Sequence, residues 1–435
     1  LPANVENADL RFHSGSISVT GNSANNVFIM GVGAQSVLGG SGSDTLSYAY
    51  APGAVGVDLL TWNLSGEASD DYFNSIENLV GSAFDDELRA LGTQSIIDGG
   101  PGADIMEGRN GSDVYYVDDS GDTVIEVAGG GSYDEVRIRN LASYTLPAYV
   151  EKLTNSTNFM FTGTGNSLDN EINGGTTIDY LYGGDGHDSL NGGDGDDALH
   201  GDGDHDILNG GAGSDTMYGG LGNDTFYVEY EGDTVVELIA EGTDTVYTTL
   251  TNYMLSDHVE NLSFWGVGDP ELNFTGSNVP NLITGRGGDD IMDGQGGPDE
   301  LYGEGGNDVL HGGSGDDFLV GGSGADILCG GSGSDLFQFG PGDTGTGAAA
   351  DVITDFVNYM DKVDLRGLDS NVSVAGDQAF SFIGTAAFSG AAGELRFTFD
   401  GTDTWVQGDW TGDGVADFEI VFTGSVTLWA TDFYL

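Results

Sequence analysis

The chain has few basic residues, one cysteine and no long apolar run. Lysine and arginine total 10 of 435 residues, against 71 aspartates and glutamates, which gives a formal net charge of −61. This charge excludes nucleic acid or an anionic membrane surface as the main partner and indicates cations instead. The one cysteine, Cys329, excludes an internal disulfide framework and stands at a variable repeat position, where a tolerated neutral residue is expected.

The sequence also lacks the usual signatures of membrane insertion and catalysis. It has no run of about 18 apolar residues and no basic-then-apolar leader, so we expect no membrane span and no cleavable leader in this stretch. Neither His-Glu-x-x-His nor Gly-x-Ser-x-Gly occurs. We therefore predict no catalytic residue, no enzyme activity within the chain and no organic cofactor.

Histidines and acid pairs do not change this prediction. The histidines of the repeats occupy variable positions that are expected to face solvent, namely His187, His200, His205 and His311. The acid pairs Asp85-Asp86 and Asp196-Asp197 resemble glycosidase carboxylates. The second member of each pair, however, falls at a fixed repeat position, which metal ligation explains better.

Glycine is abundant and periodic. It supplies 76 residues, well above the usual share of about 7%. The unit Gly-Gly-x-Gly-x-Asp-x-apolar-x recurs, most clearly at 183–191 and 312–320. Such a period excludes collagen and a disordered linker.

The residue types of this unit suit calcium. Glycines at positions one, two and four let a six-residue turn visit φ > 0 and aim its carbonyl oxygens at one point. The aspartate at position six adds a carboxylate, and calcium takes about six to eight such hard oxygens. Residues seven to nine are predicted to form a strand of about three residues whose position-eight side chain points inward, as at Leu190, Leu199, Leu208 and Met217.

Two units are predicted to complete one turn of a right-handed parallel β-roll. The aspartates of alternate units would then stack about 4.8 Å apart. Two bare carboxylates at that distance repel by about 3 to 4 kcal/mol at an effective dielectric near 20. The predicted fold is therefore all-β: calcium-bound parallel β-roll (β-solenoid) arrays, β-rich spacers and a C-terminal β capping domain.

The candidate calcium ligands follow from this phasing. The position-six carboxylates are Asp44, Asp86, Asp104, Asp113, Asp179, Asp188, Asp197, Asp206, Asp215, Asp224, Asp290, Asp299, Asp308, Asp317, Asp326 and Asp335. The candidate backbone carbonyls belong to Gly183, Gly192, Gly201, Gly210, Gly219, Gly294, Gly303, Gly312, Gly321 and Gly330. We expect on the order of four to six Ca²⁺ ions in each of the two long arrays.

Phasing by nine also predicts the organisation of the chain. Repeat arrays are expected at 21–47, 81–116, 165–227 and 276–338. Spacers are expected at 1–20, 48–80, 117–164 and 228–275, with a C-terminal cap and secretion domain at 339–435. The first units of three arrays carry Asn at position six (Asn26, Asn170, Asn281), which indicates caps rather than full calcium sites.

Arrays and spacers recur together as a module. The third and fourth arrays begin 111 residues apart, at Gly165 and Gly276. The segments before them also match, as in Gly121-Asp-Thr-Val124 and Gly232-Asp-Thr-Val235. Since residue 1 corresponds to the middle of a spacer, we expect a further array before it.

The C-terminal segment adds a second signature. Its motifs are Asp351-Val-Ile-Thr-Asp355-Phe, Asp361-Lys-Val-Asp364-Leu365, and a terminal Thr431-Asp-Phe-Tyr-Leu435. Together with the arrays, which the nonapeptide identifies with RTX proteins, this segment resembles the C-terminal domain of serralysin-type proteins. The resemblance implies export by a type I secretion channel that recognises an uncleaved C-terminus. Asp409 to Asp417 imitates a calcium loop, yet Thr411 and Ile420 stand where an EF-hand needs oxygen ligands, which favours a structural turn.

Three functions remain open from the sequence. The first is a secreted calcium-binding region that is unfolded at low calcium and folds on export. The second is a surface-layer, matrix or adhesive protein that assembles through calcium, with itself or a cell-surface partner. The third is the secretion part of an extracellular enzyme whose catalytic domain lies upstream of Leu1. All three predict a secreted protein, extracellular or at the cell surface.

Overall fold

Short strands with one inward side chain follow the glycine-rich turns. In Ser189–Asp194, Leu190 is buried while Ser189 and Asn191 are exposed. The computed structural model describes residues 1–13, 15–371 and 378–435. Within it the chain divides into two units, Leu1–Gly222 and Asn223–Leu435.

The first unit consists of strands. They are β1 Asn7–Asp9, β2 Ile17–Thr20, β3 Val27–Ile29, β4 Gln35–Leu38, β5 Thr45–Ser47, β6 Val55–Asp58, β7 Leu64–Gly66, β8 Tyr72–Asn74, β9 Asn78–Val80, β10 Glu87–Arg89, β11 Ile96–Asp98, β12 Ile105–Glu107, β13 Val114–Val117, β14 Thr123–Ile125, β15 Glu135–Ile138, β16 Ser143–Thr145, β17 Lys152–Asn155, β18 Phe161–Thr164, β19 Glu171–Gly175, β20 Asp179–Gly184, β21 Ser189–Asp194, β22 Ala198–Gly203, β23 Ile207–Ala212 and β24 Thr216–Leu221.

The second unit adds strands and two 3-10 helices. The strands are β25 Thr225–Val228, β26 Thr234–Val236, β27 Thr245–Thr248, β28 Asn252–Met254, β29 Asn261–Phe264, β30 Asn273–Thr275, β31 Leu282–Thr284, β32 Ile291–Asp293, β33 Glu300–Tyr302, β34 Val309–Ser314, β35 Phe318–Val320, β36 Ile327–Ser332, β37 Leu336–Gln338, β38 Asp351–Ile353, β39 Lys362–Asp364, β40 Ser381–Gly384, β41 Glu394–Phe399, β42 Thr404–Asp409, β43 Phe418–Phe422 and β44 Phe433–Tyr434. The helices are Gly347–Ala349 and Ala430–Asp432. No helix in the described ranges is long and apolar enough to cross a membrane.

Within the repeat arrays, a strand pairs in parallel with the strand two repeats later. In β21 and β23, Ser189 is opposite Ile207 and Leu190 is opposite Leu208. One coil is therefore two nonapeptides, which confirms the predicted parallel β-roll. The prediction of three-residue strands was wrong for part of the chain: β20 to β24 have six residues. The ladder continues there into the next turn, because the backbone of Gly193 also pairs with that of Gly211.

The core is a column of position-eight side chains on each face of the roll. In the first unit, Ile172, Leu190 and Leu208 share one sheet, and Leu181, Leu199 and Met217 share the other. Each of these side chains is at most 1% exposed. In the second unit, Ile283, Leu301, Leu319 and Phe337 form an equivalent column.

The spacers continue the sheets rather than interrupting them. In the first unit β13, β15, β17 and β19 pair successively in parallel. In the second unit β25, β27, β29 and β31 do the same. The glycine-rich turns of an array and the longer loops of a spacer therefore lie on one backbone scaffold.

The C-terminal segment ends the second unit with antiparallel strands. β38 pairs in parallel with β36 and β43, while β41, β42 and β43 pair in antiparallel order. Leu395, Val406, Phe418 and Phe422 are fully buried between these elements. An antiparallel sheet with its own core covers the last turn of a solenoid, which would otherwise expose an unpaired edge.

Candidate metal centres

The position-six aspartates are buried. Every aspartate predicted as a ligand is at most 3% exposed, although carboxylates are almost never buried unless they are paired. By contrast, their sequence neighbours Asp85 and Asp196 are exposed. The two members of each acid pair therefore face different environments, which does not suit a pair of glycosidase carboxylates.

One carboxylate oxygen of these aspartates fixes the stacking of the coils. Oδ1 accepts a hydrogen bond from the backbone N–H of the residue 18 positions earlier, at distances of 2.6 to 3.0 Å. The acceptors are Asp44, Asp104, Asp113, Asp179, Asp188, Asp197, Asp206, Asp215, Asp290, Asp299, Asp308, Asp317, Asp326 and Asp335. Each such bond ties one coil to the next.

The other oxygen has no partner in many of these residues. In many of the same residues Oδ2 is buried and has no hydrogen-bond partner, as in Asp44, Asp104, Asp113, Asp179, Asp188, Asp197, Asp299, Asp308, Asp317 and Asp326. A buried polar atom without a partner costs about 1 to 3 kcal/mol, and more when it is charged. Repetition of that cost coil after coil indicates that a ligand outside the chain satisfies these oxygens.

The first glycine of the unit leaves space for this oxygen. A Cβ built on Gly192 would collide with Oδ2 of Asp197 and lie 2.5 Å from the carbonyl oxygen of Gly210. The backbone of Gly192 is not in the left-handed region. The sequence-based expectation of φ > 0 at position one was therefore wrong, and a close approach of oxygens excludes a side chain there.

Positions two and four follow the original expectation. Gly193 and Gly195 have φ of 103° and 141°, and Gly313 and Gly315 have φ of 109° and 145°. Only glycine adopts this region without a steric penalty.

The predicted carbonyl donors form columns beside the carboxylates. The carbonyl oxygen of Gly312 lies 2.7 Å from the position that a Cβ would take on Gly294, and that of Gly330 lies 2.6 Å from the same position on Gly312. The carbonyl oxygens of Gly183, Gly192, Gly201, Gly210, Gly219, Gly303 and Gly321 lie equally close to the glycine 18 positions earlier. Carbonyls and carboxylates are thus brought together, with oxygen as the only ligand atom.

In the first units of the arrays, the polar atoms of the position-six Asn side chain all form hydrogen bonds within the protein. In Asn170, Oδ1 accepts the N–H of Asn166 at 2.7 Å, and Nδ2 donates to the carbonyls of Val150 and Glu151 at 3.2 and 3.4 Å. Asn26 and Asn281 make the corresponding bonds. This agrees with the prediction that these units are not full calcium sites, but they do not begin the ladder, because the spacer strands pair with them.

Two predicted ligands behave like these asparagines. Both oxygens of Asp86 accept hydrogen bonds, from Val55 and from the backbone and hydroxyl of Ser82. Both oxygens of Asp290 accept backbone N–H groups, from Leu272 and Arg286. The structure gives neither residue an orphaned oxygen.

Burial changes the acidity of the remaining carboxyls. It raises the pKa of Asp188, Asp197 and Asp308 to about 7, with smaller contributions from neighbouring acids. The metal-free turns would therefore retain protons near neutral pH. A bound divalent cation would provide the positive charge that compensates these carboxylates and would favour their ionised form.

The residues present fit calcium. Carboxylate Oδ2 atoms, glycine carbonyl oxygens and left-handed turns provide several hard oxygen ligands in a flexible geometry. When bound, the ion would neutralise the stacked carboxylates and link successive coils. No histidine or cysteine takes part among the described residues of these turns, which excludes a soft-metal site there.

Other residues singled out in the sequence lie outside these sites. His187, His205 and His311 are exposed, as predicted. His200 is half-buried and stacks between Tyr182 and Tyr218 with centroid distances of 4.7 and 4.4 Å. Burial and a contact with Asp355 raise the pKa of the Cys329 thiol to about 11, so the thiol is unreactive.

The loop from Asp409 to Asp417 is held by its own backbone. Asp409 accepts N–H groups of Gly412 and Gly414, and Oδ2 of Asp417 accepts those of Trp410 and Thr411. These hydrogen bonds occupy the carboxylates as in an Asx turn, which agrees with the predicted structural turn.

Further acids, which the nine-residue pattern does not reveal, extend the ladder into the spacers and the C-terminal segment. Oδ1 of Asp134 accepts the N–H of Asp113 at 2.7 Å, and Oδ1 of Asp351 accepts that of Asp326 at 2.8 Å. Glu126 lies beside Asp113 and Asp134. Loops of different length shift these acids out of the nine-residue period. The 111-residue duplication was the available signal, because it relates Glu126 to Glu237.

Comparisons with known proteins agree with this geometry. A family model for the RTX calcium-binding nonapeptide repeat matches residues 80–115, 92–124, 164–199 and 191–226. A model described as Peptidase M10 serralysin C terminal matches residues 274–435. The repeat and the C-terminal domain are both non-catalytic, and both imply a secreted protein.

Several solved structures resemble parts of the chain. The R3 subunit of the mannuronan C5-epimerase AlgE6 from Azotobacter vinelandii is 26% identical, with a TM-score of 0.20 over 36% of this chain and 78% of that chain. The R2 subunit of the same enzyme is 26% identical, with a TM-score of 0.22 over 37% and 91%. The extracellular lipase LipA from Serratia marcescens is 18% identical, with a TM-score of 0.24 over 69% and 45%. No curated protein has a significantly similar sequence. The chain therefore carries RTX calcium-binding nonapeptide repeats and a serralysin-type C-terminal domain, as the sequence indicated.

Proposed function

We propose that this chain is a secreted region that is unfolded at low calcium and folds into calcium-loaded β-rolls on export. The observation that carries the proposal is the row of buried aspartate oxygens without a protein partner. The cations bind only the folded roll, so their binding free energy becomes folding free energy.

The unfolded state at low calcium follows from the thin core. Each nonapeptide buries one large apolar side chain, such as Leu190 or Leu208, in nine ordered residues. Burial of one leucine does not offset the backbone entropy that is lost when nine residues are ordered. Without cations, the buried carboxyls must either take up protons or remain charged beside one another, and either requirement adds to this deficit.

The position of the C-terminus supports recognition before folding. Phe433 and Tyr434 pair with Val363 and Asp364, and Phe433 is 6% exposed. A type I secretion channel that reads the terminal residues would meet them only in a chain whose last strands have not formed. Calcium outside the cell would then fold the emerging chain and oppose its return.

Sedimentation velocity of the purified chain tests the proposal, first in chelator and then in several millimolar calcium. We expect an extended chain in chelator and a compact monomer in calcium, with far-UV circular dichroism changing in parallel. A chain that keeps its β-structure and compactness in chelator would overturn the proposal.

A structural role is the second candidate. The duplicated module and exposed apolar side chains, including Leu238, Ile239 and Val267 at 63%, 79% and 97%, favour assembly through calcium. The same sedimentation experiment separates the two functions. Polymers that form only with calcium favour assembly, and a monomer at every calcium concentration excludes self-assembly.

A further inference from the structure

Two clusters of buried acids lie where the spacers meet the arrays. In each cluster three carboxylates offer ligand oxygens within 4.8 Å of one another. The first triad is Asp113, Glu126 and Asp134, and the second triad is Asp224, Glu237 and Asp244. All six side chains are less than 9% exposed. The triads occupy corresponding places in the duplicated module.

Glu126 occupies the place of a first-position glycine. β12 pairs with β14 so that Glu107 is opposite Ile125. The next residues are Gly108, the first glycine of its turn, and Glu126. The spacer therefore brings a carboxylate to a point where the nonapeptides have no side chain at all.

The longer spacer loop makes room for that carboxylate. Glu126 and Asp134 are eight residues apart, whereas the glycine and aspartate of a nonapeptide turn are five apart. Glycines line the loop: a Cβ on Gly130 would lie 3.0 Å from Oε2 of Glu126, and one on Gly131 would collide with the carboxylate of Asp134. The loop thus encloses the acids closely.

The first triad contains oxygens that the protein does not satisfy. Asp113 and Asp134 are 0% and 1% exposed, and the Oδ2 atom of each has no hydrogen-bond partner. Glu126 accepts a hydrogen bond from the hydroxyl of Tyr115 and a 3.3 Å bond from the N–H of Val127. In the described part of the chain, no basic side chain forms an ion pair with this triad.

The second triad repeats the arrangement with one difference. The N–H of Asp224 donates to Oδ1 of Asp244 at 2.8 Å, as that of Asp113 does to Asp134. Oδ2 of Asp244 is buried without a hydrogen-bond partner. Phe226 stands where the first module has Tyr115, so no hydroxyl is available from that position.

We infer that each triad binds a calcium ion of its own, and that Glu126 and Glu237 are the ligands that distinguish these sites from the nonapeptide sites. Three carboxylates whose ligand atoms are all oxygen suit a hard divalent cation. A carboxylate from the spacer would also make the spacer loop fold only with calcium. The arrays on either side of it would then respond to calcium together.

The test is the number of ions bound by the full chain after equilibrium dialysis at saturating calcium and pH 7.5. Glu126→Gln and Glu237→Gln keep the shape of the side chain and remove its charge. We expect one ion fewer for each single variant and two fewer for the double variant. The control D119N/E231Q removes two exposed carboxylates of the same spacers, and we expect it to bind as many ions as the wild type.

This inference rests on the calcium-dependent folding proposed above, and the outcomes separate the two. A chain that binds no calcium overturns both. A double variant that binds as many ions as the wild type overturns only the triad sites. If the double variant does not fold, anomalous diffraction from wild-type crystals grown with calcium decides: a peak between Asp113, Glu126 and Asp134 supports the site, and its absence refutes it.

Discussion

The backbone N–H of Asp179 donates a 2.7 Å hydrogen bond to Oδ1 of Asp197, which lies one coil later. Oδ2 of Asp197 is buried and has no hydrogen-bond partner. One side chain therefore connects two coils with one oxygen and offers a ligand with the other. Because this relation recurs along the arrays, the aspartate of each unit both fixes the register between coils and leaves one carboxylate oxygen available to a cation.

Replacing Asp197 by asparagine should separate these two roles. The amide can still accept the N–H of Asp179, but an NH2 group replaces one oxygen at the cation position. We expect the local calcium affinity to fall by at least about tenfold, and the calcium concentration at half-folding to rise in a titration followed by circular dichroism. Asp196→Asn is the control, because Asp196 is exposed and its bond to the N–H of Ser214 can persist. Equal midpoints for the two variants would exclude Asp197 as a ligand.

The first-position glycine gives a second prediction. Gly192→Ala places a methyl group against Oδ2 of Asp197, whereas Gly203→Ala has nothing nearer than 3.7 Å. Neither residue has positive φ, so backbone strain does not distinguish them. We expect G192A to raise the calcium midpoint severalfold and G203A to leave it unchanged or lower it slightly. A similar response in both variants would show that space around the carboxylate is not what position one requires.

The asparagine at position six of a first unit gives a third prediction. Asn170→Asp points a carboxylate at the carbonyls of Val150 and Glu151, which the amide now contacts. Loss of these bonds should cost about 1 to 3 kcal/mol and lower the thermal midpoint in saturating calcium. Asn209→Asp is the control with the same charge change. Asn209 accepts a hydrogen bond from the N–H of Gly211, which a carboxylate can also accept, so we expect little change in the thermal midpoint. A higher midpoint together with an extra bound ion would mean that this position is a latent calcium site.

The pH dependence of the metal-free chain gives a fourth prediction. Burial raises the pKa of Asp188, Asp197 and Asp308 to about 7 in the fold, against about 3.9 in an unfolded chain. Protonation therefore stabilises the metal-free fold fully below about pH 4, and this contribution is lost as pH rises through about 7. In chelator, β-structure measured by circular dichroism should increase as pH falls from 8 to 5, while calcium affinity should decrease. A metal-free chain equally unfolded at pH 5 and pH 8 would contradict the buried environment of these acids.

Much of the fold could be predicted from local periodicity. The nine-residue unit places an apolar residue at position eight and an aspartate at position six, and two units per coil then stack Leu190 on Leu208. The Asn residues that begin the arrays also indicated that these units are not full calcium sites. These features depend on residues close together in sequence, where turn preference and side-chain alternation decide the structure.

The glycine-rich turns, their nine-residue period and the class of fold are determined by the sequence itself. Which oxygens remain for a cation was decided only by the tertiary structure, because the neighbouring coil either satisfies an acid, as at Asp86 and Asp290, or leaves it orphaned, as at Asp197. The meeting of Glu126 with Asp134 likewise depends on the length of a spacer loop. Stacking brings together residues that no nine-residue pattern relates.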